Sequence, residues 1–94
     1  MYDLKYHELV VKKDITRLTS FWKDKIKKTI EEKLVHNPEV FGKPLRRSLK
    51  GYRKLRVGDY RVIFKIRSRV VLIFIIQHRS VVYQSAEKRK KISS

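Results

Sequence analysis

The sequence predicts a small α+β fold. It reads as an N-terminal strand, a two-helix hairpin, a three-stranded antiparallel meander forming one sheet, and a short C-terminal helix or tail. Three observations predict it. Residues 2–7 alternate apolar with polar side chains, the pattern of a half-buried strand. From Val11 to Leu34 the apolar residues recur at spacings of three and four, which is a helical stripe. After residue 51, three β-rich runs are separated by two short connections.

Each element follows in order. Tyr2, Leu4 and Tyr6 form the apolar side of the first strand, against Asp3, Lys5 and His7. The helical stripe is Val11, Ile15, Leu18, Trp22, Ile26, Ile30 and Leu34. Thr19 and Ser20 interrupt it and are candidate caps, so two tightly joined helices are expected. Trp22 lies on the stripe and reads as a core anchor. His36-Asn37-Pro38 ends the second helix, and residues 37–50 read as a loop. The meander strands are Tyr52 to Val57, Tyr60 to Arg67 and Val70 to Gln77. Gly58-Asp59 and Ser68-Arg69 make the tight turns between them. The last strand is apolar on both faces and belongs inside the sheet. Val81 to Ile92 is a short basic helix or a solvated tail. The helices are expected on one sheet face, with a single domain over residues 1–94.

The charge restricts function most. Lys and Arg number 25 against 9 Asp and Glu, for a net +16. Residues 1–41 hold 9 basic and 7 acidic residues, whereas residues 42–94 hold 16 and 2. Nine of the ten arginines lie in the second part. Arginine matches phosphate geometry, and an excess this large points to a nucleic acid partner. No cysteine is present, which excludes disulfides and thiolate metal sites. His7, His36 and His78 are scattered, and no metal ligand set is expected. The opening residues lack the apolar run of a signal peptide, and Val70 to Ile76 is too short to cross a bilayer. A cytoplasmic protein with no membrane partner is the expectation.

Strand alternation puts Lys54, Arg56 and Arg61 on one sheet face if Leu55, Val57, Val62 and Phe64 pack on the helices. Three cations on paired strands make a site of phosphate size, and they would equally solvate an open sheet face. Gln77, His78, Arg79 and Tyr83 come near the strand ends. RNA cleavage needs a deprotonated 2′-hydroxyl, stabilised phosphorane charge and a protonated leaving oxygen. Guanidinium groups supply the second requirement. A lysine among cations, a histidine or a tyrosine suits the proton transfers. No cofactor is required. Periodicity and composition by themselves reach a basic α+β protein that binds nucleic acid.

The segments Gly42-Lys43-Pro44-Leu45 and Leu49 to Phe64 (LKGYRKLRVGDYRVIF) closely resemble the core signature of the RelE/ParE toxin superfamily. The ending His78-Arg79-Ser80-Val81-Val82-Tyr83 resembles the close of the RelE branch. The resemblance implies a metal-independent endoribonuclease that cleaves mRNA in the ribosomal A site and inhibits translation. It implies Lys54 as base or charge stabiliser beside Arg56, and Arg61 as the phosphate clamp. Arg79 is then the acid or leaving-group stabiliser, a role His78 could share, and Tyr83 stacks on mRNA or serves as base. Arg46, Arg47, Lys50, Arg53, Lys88, Arg89, Lys90 and Lys91 are the candidate contacts to RNA. The implied partners are a cognate antitoxin protein, ribosomal RNA and mRNA. Two other readings share the fold and charge: a ParE-like inhibitor of DNA gyrase, and a non-enzymatic RNA-binding module.

Overall fold

The computed structural model describes residues 1–93. Strand β1 (Asp3–Tyr6) leads into a π-helical turn (Val10–Asp14) and a 3-10 turn (Ile15–Arg17), and then helix α1 (Ser20–Leu34). A short helix α2 (Pro38–Phe41), strand β2 (Lys43–Pro44) and a 3-10 turn (Arg47–Leu49) follow. The chain ends in β3 (Arg53–Val57), β4 (Tyr60–Arg67), β5 (Val70–His78) and helix α3 (Val82–Ser93). The strands form one sheet in the order β1-β5-β4-β3-β2. β1 runs parallel to β5, and the other neighbours are antiparallel.

The expected strand, helices, meander and terminal helix are all present, with three differences of detail. The first helical segment is a π turn continued as a 3-10 turn, not an α-helix. The wider π turn shifts the phase of the stripe, so Val10 is fully buried and Val11 is exposed. The loop contains an extra edge strand, β2, of two residues. The helices also lie on both sheet faces rather than one. Ile26, Ile30 and Leu34 of α1 pack with Leu55, Val57, Val62, Phe64, Val71 and Ile73. Val82 and Ala86 of α3 pack on the other face with Leu49, Tyr52, Ile63, Phe74 and Ile75. A register shift opposite Ile63 and Phe64 makes room for this second core. It lets the consecutive residues Phe74 and Ile75 join the same apolar cluster.

Thr19 caps α1, its side chain accepting a hydrogen bond from Trp22 N. Trp22 then packs on the β3–β4 hairpin, 5.1 Å from the Tyr60 ring. Gly58 sits under it with φ +59°, and a Cβ there would lie 2.5 Å from Trp22 Cη2. The turn therefore needs glycine both for its backbone and for its space.

The two faces are joined through a buried ion pair. Asp14, at the end of the π turn, and Arg89 of α3 are 2% and 7% exposed. Arg89 Nη1 donates to Asp14 Oδ2 at 2.7 Å and Nη2 to Oδ1 at 3.0 Å. β1 pairs only with Val70 to Ile73, so the rest of that β5 edge has no strand beside it. The ion pair occupies its place: Ile76 N donates to Asp14 Oδ2 at 3.0 Å, and Phe74 O accepts from Arg89 Nη1 at 3.1 Å.

Removing one partner leaves a buried charge and an unpaired strand amide or carbonyl. We expect Asp14→Ala or Arg89→Ala to cost about 3–5 kcal/mol in urea unfolding. The double variant should cost less than the sum of the two, because they share one interaction. A second prediction concerns acid. Burial, and then the Arg89 charge, hold the His7 pKa below its ordinary value. The unfolded chain takes up that proton near pH 6.5, while the folded one does not until lower pH. The His7 contribution is thus complete above about pH 6.5 and lost as pH falls through the folded value. His7→Gln should flatten the decline in Tm as pH falls below about 6.5.

Candidate functional site

The meander builds a cationic surface on the face that carries α3. In β3, Lys54 and Arg56 alternate with buried Leu55 and Val57. In β4, Arg61 precedes buried Val62 and stands opposite Arg56 in the ladder. β2 adds Lys43 opposite Lys54. Phe41, Lys43, Lys54, Arg56 and Arg61 line one cleft of about 220 Å³. Four cations and one aromatic ring share it, with no carboxylate in the lining. An anion with a planar apolar part suits such a lining.

The three cations expected together from strand alternation are together. Arg61 is anchored by its own turn, Nη1 donating to Gly58 O at 2.8 Å and Tyr60 O at 2.9 Å. Among the described residues its other guanidinium nitrogens make no hydrogen bond, so they are donors an anion could use. Tyr83, in the first turn of α3, is half-buried against the second core, and Lys54 Nζ stands 5.6 Å from its ring centroid. Tyr83 therefore adjoins the cleft through Lys54 rather than lining it. Arg79 and His78 stand at the end of β5, outside the lining. Arg79 N donates to Asp59 O at 2.8 Å, and its Nε lies 3.8 Å from Asp59 Oδ1. Arg61 and Arg79 thus grip the same Gly58–Asp59 turn from two strands. His78 faces Tyr60 across the ladder. Its Nδ1 accepts from Ser80 N at 3.1 Å, which puts the proton of the neutral ring on Nε2.

The wider set of RNA contacts divides. Arg46, Arg47, Lys50, Lys88 and Lys91 are exposed on the surface. Lys90 is half-buried, its Nζ donating to Ser48 O at 2.6 Å. Arg53 is a strut: Nη1 donates to Gly42 O at 2.8 Å and Glu39 O at 3.4 Å, fixing the segment that carries Phe41 and Lys43. Arg89 is a correction. Its guanidinium is buried in the Asp14 pair and does not present to RNA. Val82, Ala86 and Arg89 follow helical spacing, so the buried stripe of α3 carries Arg89 inward with it.

Sequence reasoning missed Phe41, Lys43 and the second role of Asp59. Lys43 enters the cleft only because β2 pairs with β3, and a two-residue strand containing Pro44 leaves no periodic signal. Asp59 reads as a turn residue until Arg79 is seen beside it. Among the described residues, no group of three or more His, Asp or Glu side chains is placed to hold a metal ion.

The profile of the family described as ParE toxin of type II toxin-antitoxin system, parDE, matches residues 5–83. A stretch of 54 residues is 44% identical to Toxin RelE of Mycobacterium tuberculosis, covering 54% of this chain and 55% of that protein. The match thus spans about half the length of that curated relative. Among solved structures, the Mycobacterium tuberculosis RelBE2 toxin–antitoxin complex matches at 28% identity with a TM-score of 0.77. That match covers 83% of this chain and 98% of the other. The isolated E. coli RelE toxin matches at 25% identity with a TM-score of 0.70, over 95% and 98% of the two chains.

Proposed function

The chain belongs to the RelE/ParE toxin superfamily, and from that premise we propose that it is the toxin of a type II toxin–antitoxin pair. In this reading it is a metal-independent endoribonuclease that cleaves mRNA in the ribosomal A site. One observation carries the proposal: a cleft of phosphate-binding cations with no carboxylate, on the sheet of a RelE-like fold. A backbone phosphate placed there would lie between Arg56 and Arg61, with Lys54 beside it.

The chemistry follows from RNA itself. The 2′-oxygen attacks the adjacent phosphorus, the O2′–P bond forms, and the P–O5′ bond breaks. The product ends are a 2′,3′-cyclic phosphate and a 5′-hydroxyl. The 2′-hydroxyl gives up one proton and the 5′-oxygen takes one. Arg56 and Arg61 stabilise the charge on the phosphorane oxygens. Lys54 or Tyr83 takes the first proton, and Arg79 serves the leaving oxygen. His78, paired with Tyr60 on the α1 side of the sheet, faces away from the cationic cleft. The exposed Arg46, Arg47, Lys50, Lys88 and Lys91 face RNA of the ribosome, and their attraction weakens with salt. A small, acidic cognate antitoxin is the proposed protein partner, in keeping with the relative solved as the RelBE2 toxin–antitoxin complex. The whole chain forms one functional domain in this reading.

The matched profile is that of a ParE toxin, so gyrase inhibition is the reading to test against. Both are tested by incubating a defined mRNA in EDTA, with and without programmed ribosomes. Wild-type protein should cut only on the ribosome, and Arg61→Ala should cut at least about 100-fold more slowly, the scale of one lost charge-stabilising group. Arg79→Ala should fold normally and also lose toxicity. Toxic protein that cuts no mRNA but blocks supercoiling would sink the ribonuclease reading.

A further inference from the structure

Phe41 has no part in the core. It belongs to neither apolar cluster, it is 41% exposed, and it lines the cationic cleft. A lone exposed phenylalanine is unremarkable by itself. This one differs in how firmly it is held. Phe41 N donates to Asn37 O at 3.2 Å, and Gly42 N to Pro38 O at 3.0 Å. Arg53 Nη1 holds Gly42 O from the sheet side at 2.8 Å. Gly42 itself is pressed against the core, where an added Cβ would lie 2.2 Å from Phe64 Cζ. The next residue, Lys43, is fixed opposite Lys54 by the β2–β3 ladder. The chain is therefore pinned on both sides of an exposed ring.

The ring's surroundings specify a ligand. A phosphate alone needs only the cations. A phenyl ring among four of them adds a flat apolar surface of no use to a bare anion. A nucleotide has both features, a charged phosphate and a planar base with an apolar face, a short distance apart. Lys33 of α1, outside the cleft lining, has its Nζ over the Phe41 ring, 5.2 Å from the centroid, so one face of the ring carries a cation.

We propose that Phe41 is a base-stacking platform. The cleft is then a nucleotide subsite, with phosphate on Lys43, Lys54, Arg56 and Arg61 and the adjoining base of single-stranded RNA on the Phe41 ring. This rests on the RNA-directed reading of the cleft given above. It adds a residue that touches a base, so part of RNA recognition passes through base shape and stacking strength rather than charge.

The test is fluorescence anisotropy at low salt with short 2′-O-methyl RNA oligonucleotides, whose capped 2′-oxygens cannot attack. One oligonucleotide is intact, and each of the others lacks a single base at one position. Phe41→Ala should bind the intact strand on the order of tenfold more weakly, and Phe41→Trp about as well as wild type. One missing base should cost wild type about the same factor and Phe41→Ala nothing further. The salt dependence should be the same for both proteins, because no charge is removed. Unchanged binding by Phe41→Ala overturns the proposal. So does an equal loss on every oligonucleotide, or an effect confined to binding of the antitoxin. If wild type binds none of the strands, the subsite is overturned, while ribosome-programmed cleavage still tests the reading beneath it.

Discussion

The pair between Asp14 and Arg89 is the constraint on which the rest of the structure depends. Each member comes from a different side of the sheet. Asp14 follows Val10, which sits in the α1-side core, and Arg89 follows Val82 and Ala86 in the α3-side core. Between them they satisfy a strand amide and a strand carbonyl that β1 is too short to reach. Gln77 adds a third donor, its Nε2 lying 3.3 Å from Asp14 Oδ1. A buried ion pair contributes little net stability over a well-packed apolar pair. Its value here is positional, since an apolar pair would leave Ile76 N–H and Phe74 C=O without partners.

Placing α3 also decides where the sheet stays open. The helix covers Ile63, Phe74 and Ile75 in the middle of its face and carries Tyr83 to Lys54. Arg56, Arg61 and Lys43 stay uncovered next to it. The opposite core holds the same region from behind, through Trp22 against Gly58 and Tyr60. The hairpin to which Arg61 and Arg79 both attach is thus gripped by α1, while the position of Tyr83 is set by α3. The candidate site is assembled from two cores, and the buried pair keeps them in one register.

Much of this was legible in the sequence for a plain reason. Strand alternation survives any tertiary arrangement, so Leu55, Val57, Val62 and Phe64 announced one face and Lys54, Arg56 and Arg61 the other. The α1 stripe from Trp22 to Leu34 was equally clear. What was not legible depended on distant partners or on irregular backbone. The π turn shifted the stripe by one residue, exchanging Val11 for Val10. β2 exists only through its pairing with β3. Arg89 carried a usable signal, its spacing from Val82 and Ala86, but a basic run hides a buried arginine whose partner lies 75 residues away. Phe41 sat in a stretch read as loop, where an aromatic residue has no pattern to belong to.

The charge arrangement around the cleft is consistent with the proposed RNA-directed reading. Like charges directly across a ladder destabilise a sheet, typically by a few tenths of a kcal/mol to about 1 kcal/mol. This sheet has two such pairs next to each other, Lys43 opposite Lys54 and Arg56 opposite Arg61. Nearby carboxylates would relieve them, yet Asp59 is turned to Arg79 and Glu87 to Ser48. Arg61 relieves itself in part by donating to turn carbonyls, which also fixes its position. The fold tolerates this repulsion because two cores and a buried tie over-determine the strands that bear it. In the proposed reading, a phosphate between Arg56 and Arg61 offsets this repulsion, and the relief adds to its affinity.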